Sequence, residues 1–470
     1  MLLPHYPSPV RPTALEPAKR TMPSSSATPA TSATWRSPLY AAILLALVAA
    51  TSVPAVAAEL ESKPADPSFA AFAAVKAPPP GPPLLKKGDR LAIIGDSITE
   101  QKQYSRIIET YLTVCHPELQ VEVRQYGWSG ETADGFLHRM EQDCLRFKPT
   151  AATLSYGMND YKYRPYDEAT AKWYRDCYTK VVHGLAAAGA QVVVGSAGSV
   201  GKVASWVKTA SGTLEEHNLN LCALRNIALE IAESEHQRFA DNFWPLFTLG
   251  FEARKRYGAA YNINGRDGVH PGWAGHLVMA YDYLHALAPA GDIGTITVDL
   301  AAKTATASDG HAVDSVADGV VHLTSTRYPF CATGPADQDG SIRSGMALVP
   351  FNQELNRLML VVRGGTAASY QVTWGEVSRV YPAAALQSGV NLADDFPVNP
   401  FSAAFKQVDD AVGAKQAYET KQVKEVFHGA EGRANLETAT TRTEAERATL
   451  VAAIHAARTP VEHVIRIQAQ

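Results

Sequence analysis

From Asp89 onward the apolar positions follow two rhythms. Short runs at 91–94, 121–125, 151–156, 191–194 and 238–241 read as strands. The first, Leu91-Ala92-Ile93-Ile94, is an unbroken apolar run of the kind buried on both faces of a sheet. Between these runs the spacing turns helical, over 104–115, 133–144, 214–235 and 273–287. Ala169, Trp173, Cys177, Val181 and Leu185 recur on one helical face, as do Trp273, Leu277, Ala280 and Leu284. Strands that alternate with helices predict βαβ units, hence an α/β fold with a mostly parallel sheet covered on both faces. This domain spans about 86–290.

The texture changes after Gly291. Runs at 294–300, 320–324, 358–362 and 370–374 read as strands separated by Gly, Asp and Ser turns, with Gly364-Gly365 in a loop. No long helix intervenes, so a small antiparallel sheet or sandwich is expected. Tyr370, Val372 and Trp374 alternate like the core face of a strand. Helices then return over 401–412 and 415–427, and a third starts at Thr443, where Thr443-Glu444-Ala445-Glu446 fits a capping box. It ends before Pro460, and 464–467 reads as a closing strand. The region 291–470 is thus expected to be a β-rich and helical accessory domain. No internal repeat is found.

The N-terminal stretch reads differently from both. Residues 1–38 are rich in Ser, Thr and Pro and carry Arg11, Lys19, Arg20 and Arg36; an apolar run over 39–53 leads to Pro54-Ala55-Val56-Ala57-Ala58. This pattern predicts a signal peptide over 1–58, cut after Ala57 or Ala58. The apolar run is short for an uncleaved anchor, so no stable membrane span is expected after cleavage, and the chain is placed outside the cytoplasm, periplasmic or extracellular. Met22 is a second candidate start. Residues 59–85, with the run Pro78-Pro79-Pro80-Gly81-Pro82-Pro83, read as a tether with no core of its own.

Composition narrows the classes. A chain of 470 residues, 46% hydrophobic and 19% charged, supports two globular domains rather than disorder. The formal net charge of −4, with no Lys/Arg-rich block in the body, argues against a nucleic-acid partner. Cys115, Cys144, Cys177, Cys222 and Cys331 form no Cys-x-x-Cys pair. They serve either as buried hydrophobes or, outside the cytoplasm, in one or two disulfides.

The candidate chemistry sits at the strand ends, where open α/β sheets bind ligands. Gly95-Asp96-Ser97 follows the first strand, and Gly95 permits a tight turn there. Ser97 then stands near a helix N-terminus, a suitable seat for a nucleophile, although a serine there can equally be a plain cap. A serine needs a base. Asp267-Gly268-Val269-His270-Pro271, just before the last helix of the domain, places a carboxylate three residues from an imidazole, so that Asp267 orients His270 toward Ser97. Two further strand ends supply oxyanion donors: the backbone of Gly127, in Tyr126-Gly127-Trp128, and the side chain of Asn159, in Gly157-Met158-Asn159-Asp160. Asp96 and Asp160 flank these donors as supporting residues.

Four blocks in this order, Gly95-Asp96-Ser97-Ile98, Gly127, Gly157-Met158-Asn159-Asp160 and Asp267-Gly268-Val269-His270-Pro271, resemble the GDSL or SGNH hydrolases. Ile98 stands where the family's name has leucine. The resemblance covers about 89–290 and implies a flavodoxin-like three-layer α/β/α sandwich. It also implies Ser97 as nucleophile, His270 as base, Asp267 as its orienter, and oxyanion donors on the Ser97 backbone, the Gly127 backbone and the Asn159 side chain. Neither metal nor organic cofactor is implied. Exported bacterial members often remove acetyl groups from carbohydrates, which suggests a small-molecule or polysaccharide ester as substrate. Two alternatives stay open: a lipase or thioesterase of the same family, and a catalytically silent carbohydrate-binding or adhesion protein on an esterase fold.

Overall fold

The computed structural model describes residues 58–470. The signal-peptide reading of 1–58 lies, but for its last residue, outside them. Among the described residues no helix is long and apolar enough to cross a membrane.

The first part of the chain folds as β1 (Arg90–Gly95), α1 (Ser97–Glu100), α2 (Tyr104–Cys115), β2 (Glu122–Gln125), α3 (Ala133–Asp143), β3 (Ala151–Ser155), α4 (Glu168–Ala187), β4 (Gln191–Gly195), α5 (Leu214–Ser234), β5 (Arg238–Ala240), α6 (Phe243–Tyr257) and α7 (Trp273–Leu287). The five strands form one parallel sheet in the order β2-β1-β3-β4-β5. Helix α2 packs with α7, while α3, α4 and α5 pack in sequence. The result is the three-layer α/β/α sandwich that the alternating rhythm and the resemblance imply. All five residues of β3 are buried, as expected of a central strand covered on both faces. Helix α6 escapes the sequence reading. It follows β5 by two residues, and its apolar residues serve a second surface besides the sheet.

That second surface is the segment 59–85, which is not a free tether. Phe69 and Phe72 are buried, with ring centroids 5.0 Å from Phe247 and Phe251 for Phe69 and 4.5 Å from Phe247 for Phe72. Asn226 on α5 receives the Val75 N–H at 3.0 Å and donates to Ala73 O at 2.8 Å; Leu84 N–H donates to Leu287 O at 3.0 Å. A few aromatic anchors thus tie a proline-rich stretch to helices that need covering, which composition alone does not reveal.

The rest builds two further sheets. Strands β6 (Asp292–Asp299), β7 (Thr304–Ala307), β8 (His311–Ala317), β9 (Val320–Ser325), β10 (Arg357–Arg363), β11 (Ser369–Trp374), β12 (Val377–Pro382), β13 (Val390–Asn391) and β14 (Val461–Ala469) sort into the orders β13-β10-β6-β7 and β12-β11-β14-β9-β8. The second of these is antiparallel throughout. The first is not, because β6 and β10 run parallel. The expected closing strand, β14, lies in the middle of its sheet. Trp374 and Val372 are fully buried, as their alternation implies.

Three local expectations need correction. The two helices expected over 401–427 are one: α8 (Ser402–Lys421) runs directly into a π-helical segment, Gln422–Phe427. The helix expected from Thr443, α9 (Leu436–Ala457), begins seven residues before it and is capped by Asn435, whose side chain accepts from Thr438 N–H. Thr443 instead lies inside it and donates to Ala439 O at 2.8 Å, so its capping-box pattern is coincidental. All five cysteines are buried and free, which leaves the hydrophobe reading and removes the disulfides.

Candidate active site

The Ser97 turn leaves β1 at the C-terminal edge of the sheet. Asp96 caps α1 through its Oδ1, which accepts the Ile98 N–H at 2.9 Å, so Ser97 is freed from capping and occupies the first helical position. Ser97 Oγ lies 2.8 Å from His270 Nε2. His270 Nδ1 lies 2.7 Å from Asp267 Oδ2. The other Asp267 oxygen accepts the Val269 and His270 N–H groups, both at 2.9 Å. The Asp267 carboxyl is partly buried, which raises its pKa, but these backbone and imidazole bonds outweigh burial and hold it below the ordinary value. Gly268 makes the turn possible: its φ is +80°, and a Cβ there would meet Lys202 N at 2.5 Å. A hydroxyl, an imidazole and an anchored carboxylate in this series can pass a proton from the hydroxyl to the ring while the carboxylate steadies the resulting charge.

The expected oxyanion donors lie nearby. Gly127 presses on the Ser97 turn so closely that a Cβ would come 2.2 Å from Glu100 N. Neighbouring Trp128 donates its N–H to Gly95 O at 3.0 Å, pinning this loop to the end of β1. Asn159 Nδ2 donates to Glu131 O at 3.0 Å and makes only a long contact, 3.4 Å, with Asp96 Oδ2. Its second hydrogen is therefore weakly held. Tyr163 OH fixes the amide orientation by donating to Asn159 Oδ1 at 3.2 Å.

Asp96 and Asp160 sit beneath this surface. Asp160 accepts the Ala133 N–H at 2.9 Å and the Gly157 N–H at 2.8 Å, joining two loops of the sheet edge. Burial pushes both carboxyls up to about 7, with neighbouring Glu131 adding to the rise in each. They are buried braces rather than groups that reach a substrate. The structure thus gathers every site residue expected from sequence.

Several neighbours carry no sequence signal. Trp206, in the loop between β4 and α5, is 47% exposed and stacks on His270 with centroids 5.9 Å apart. Gln101, Lys102 and Ser129 join Ser97, Glu100, Asp267 and His270 around an open pocket of about 370 Å³. His276 on α7 steadies this rim: its Nδ1 accepts the Tyr104 N–H, and its Nε2 donates to Gln101 Oε1 at 2.8 Å. Burial pushes the His276 pKa down to about 3, so it stays neutral. A larger cavity, about 500 Å³, lies beside Gly88, Arg90 and Glu122, near the strand starts and away from this chemistry.

Known proteins resemble the chain as follows. Residues 93–278 match the model of the GDSL-like Lipase/Acylhydrolase family. No curated protein matches the chain. Among solved structures, a gut microbial diltiazem-metabolizing enzyme superposes with TM-score 0.66 at 19% identity, covering 83% of this chain and 100% of that one. That overlap reaches well beyond the α/β sandwich, so much of the C-terminal architecture is shared too. An acetylxylan esterase from Geobacillus stearothermophilus matches with TM-score 0.35 at 22% identity, over 44% of this chain and 97% of that one. An alpha/beta hydrolase enzyme from the metagenome of Lake Arreo, Spain, gives TM-score 0.33 at 19% identity, over 43% and 97%. Residues 93–278 therefore carry a GDSL-like lipase/acylhydrolase domain, which supports a hydrolase of ester bonds.

Proposed function

We propose that the chain is an exported serine esterase that hydrolyses esters by a Ser97–His270–Asp267 acyl-enzyme mechanism, with acetylated carbohydrates as its substrate class. The observation that carries the mechanism is the series Ser97 Oγ–His270 Nε2 at 2.8 Å and His270 Nδ1–Asp267 Oδ2 at 2.7 Å. His270 takes the Ser97 proton as Oγ attacks the ester carbonyl. The carbonyl oxygen, now negative, is received by the Ser97 and Gly127 N–H groups and the Asn159 amide. His270 then protonates the departing alcohol. In the second half it activates water, which releases the acid from Ser97.

Two features support a small acyl group on a polar alcohol. The pocket is open and lined by Ser97, Glu100, Gln101, Lys102, Ser129, Asp267 and His270, all polar residue types. Beside it Trp206 offers a partly exposed ring of the kind on which a sugar face stacks. Export rests on the signal-like N-terminal pattern. The test is a panel of acetylated oligosaccharides and aryl esters of rising chain length, with Ser97→Ala as control. Acetyl esters are expected to be cleaved best, and Ser97→Ala to abolish cleavage. A preference for long acyl chains would favour the lipase reading, and an inactive wild-type chain the binding-only one.

A further inference from the structure

Glu100 closes the short helix that Ser97 opens, and two separate parts of the chain meet on its carboxylate. Lys424 Nζ donates to both Glu100 oxygens, at 2.8 and 2.9 Å. Ser129 N–H donates to Oε2. Glu100 N and Thr99 C lie against Gly127 with no room for a side chain between them. Burial alone would raise the Glu100 carboxyl, but the bonds from Lys424 and Ser129 outweigh it and hold the pKa below the ordinary value, so Glu100 is a fixed anion.

Lys424 comes from the far end of the chain and is itself held in place. It lies in the π-helical segment Gln422–Phe427 that interrupts the helical run where that run reaches the site; π-helical turns are rare and concentrate at functional positions. Gln422 anchors the segment through Thr443 Oγ1 at 3.0 Å and Glu444 Oε1 at 2.6 Å. Phe427 stacks on Phe147 at 6.3 Å, and His428 Nε2 meets Asp143 Oδ2 at 2.8 Å. The same segment boxes in Trp128: the His428 ring is 5.1 Å away, edge-on, and Lys424 Nζ is 5.1 Å from the ring centre, as is Arg139 Cζ. The loop 127–129 is thus gripped from the catalytic side by Glu100 and from the C-terminal side by Lys424 and His428.

We infer that Lys424 is a positioning residue for ester hydrolysis: through Glu100 and Trp128 it sets the Gly127 N–H relative to Ser97, so the C-terminal region completes the oxyanion site. This rests on the proposed roles of Ser97 and Gly127. An oxyanion donor works only if it is aimed before the charge develops, so slackening the loop weakens transition-state binding more than substrate binding.

The test uses the full chain, p-nitrophenyl acetate as substrate and phenylboronic acid as an analogue of the tetrahedral state. Lys424→Met keeps much of the aliphatic side chain and removes the ammonium that faces Glu100 and Trp128. It is expected to lower kcat about tenfold with little change in KM, and to weaken boronic acid inhibition by the same factor, since one misaimed donor costs less than the ~10²–10³ of a lost one. Lys424→Arg is expected to recover most of the loss. Titration of Ser97 with a phosphonate ester normalises each rate to intact sites. Unchanged kcat and inhibition in Lys424→Met, with Ser97→Ala dead, overturns the inference and spares the site reading. A loss that disappears on normalisation, or that falls on KM alone, also overturns it. Activity that persists in Ser97→Ala overturns the site reading, and this inference with it.

Discussion

The α/β sandwich and the C-terminal region meet the same site in opposite ways. The sandwich delivers its groups at strand ends: Ser97 two residues after β1, Gly127 two residues after β2, and Asn159 four residues after β3. Each is placed by the element just before it, and the parallel sheet lines up the three loops at one edge. The C-terminal region delivers Lys424 and His428 from a helical run whose place is set by packing against α2 and β2. The contact is charged as well as apolar. Lys415 on α8 lies fully buried between Glu109 and Glu419, at 2.8 and 2.9 Å, and Arg447 on α9 meets Glu419 at 2.7 Å. Arg106 adds an ion pair to Asp409 at 2.6 Å. One region therefore holds the proposed catalytic groups, while the other packs over it and reaches Glu100 through Lys424.

The sharpest way to break that division is to remove the chemistry alone. Ser97→Ala or His270→Ala is expected to cut kcat by at least about 10³-fold with the thermal midpoint almost unchanged, as measured by aryl acetate hydrolysis and calorimetry. Asp267→Asn should fall a step short of this while leaving KM near the wild-type value.

Removing the cover should act on folding instead. A chain that ends near Pro289 strips α8 from α2 and bares the apolar surface they share. A large exposed apolar patch favours association, so this fragment is expected to aggregate or unfold rather than to be a slower enzyme. A soluble, cooperative fragment with full activity would show that the second region is dispensable.

Gly127→Ala probes the seam. The added Cβ has to displace the backbone at Glu100, so both stability and kcat should drop, by a few kcal/mol and about 10- to 100-fold respectively. Because the clash is with backbone, no rotamer change relieves it.

The smallest expected effect is a pH dependence on the sandwich side. His276 is neutral in the fold, with its pKa lowered from 6.5 to about 3 by burial. In the unfolded chain it takes up a proton below about pH 6.5. Its contribution to stability is thus fully present above 6.5 and is lost as pH falls toward 3. His276→Gln is expected to flatten the fall in thermal midpoint over that window. Asp96 and Asp160 act with the opposite sign: their pKa values are raised from 3.8 to about 7, so their contribution is present below 3.8 and fades as pH rises through 7. Asp160→Asn should soften that decline between about pH 3.8 and 7.

Much of this was readable from the residues. The βαβ rhythm, the turn glycines and the order of Ser97, Gly127, Asn159, Asp267 and His270 sufficed for the sandwich and for the meeting of these residues at one sheet edge, because each depends on periodicity or on chemistry within a few residues of a strand end. The spacing of Asp267 and His270 is local in the same sense: one turn, closed by Gly268 and two backbone bonds, brings them together. What only the tertiary structure decided lies at long sequence separation. Phe69 and Phe72 turn a proline-rich stretch into part of the core, β14 becomes a central strand, β6 and β10 run parallel, and Lys424 reaches Glu100 from 324 residues away. No periodicity announces such contacts. A lysine on a helix or a phenylalanine in a loop looks the same whether it faces water or a partner, and its role follows only from which surface the fold brings against it.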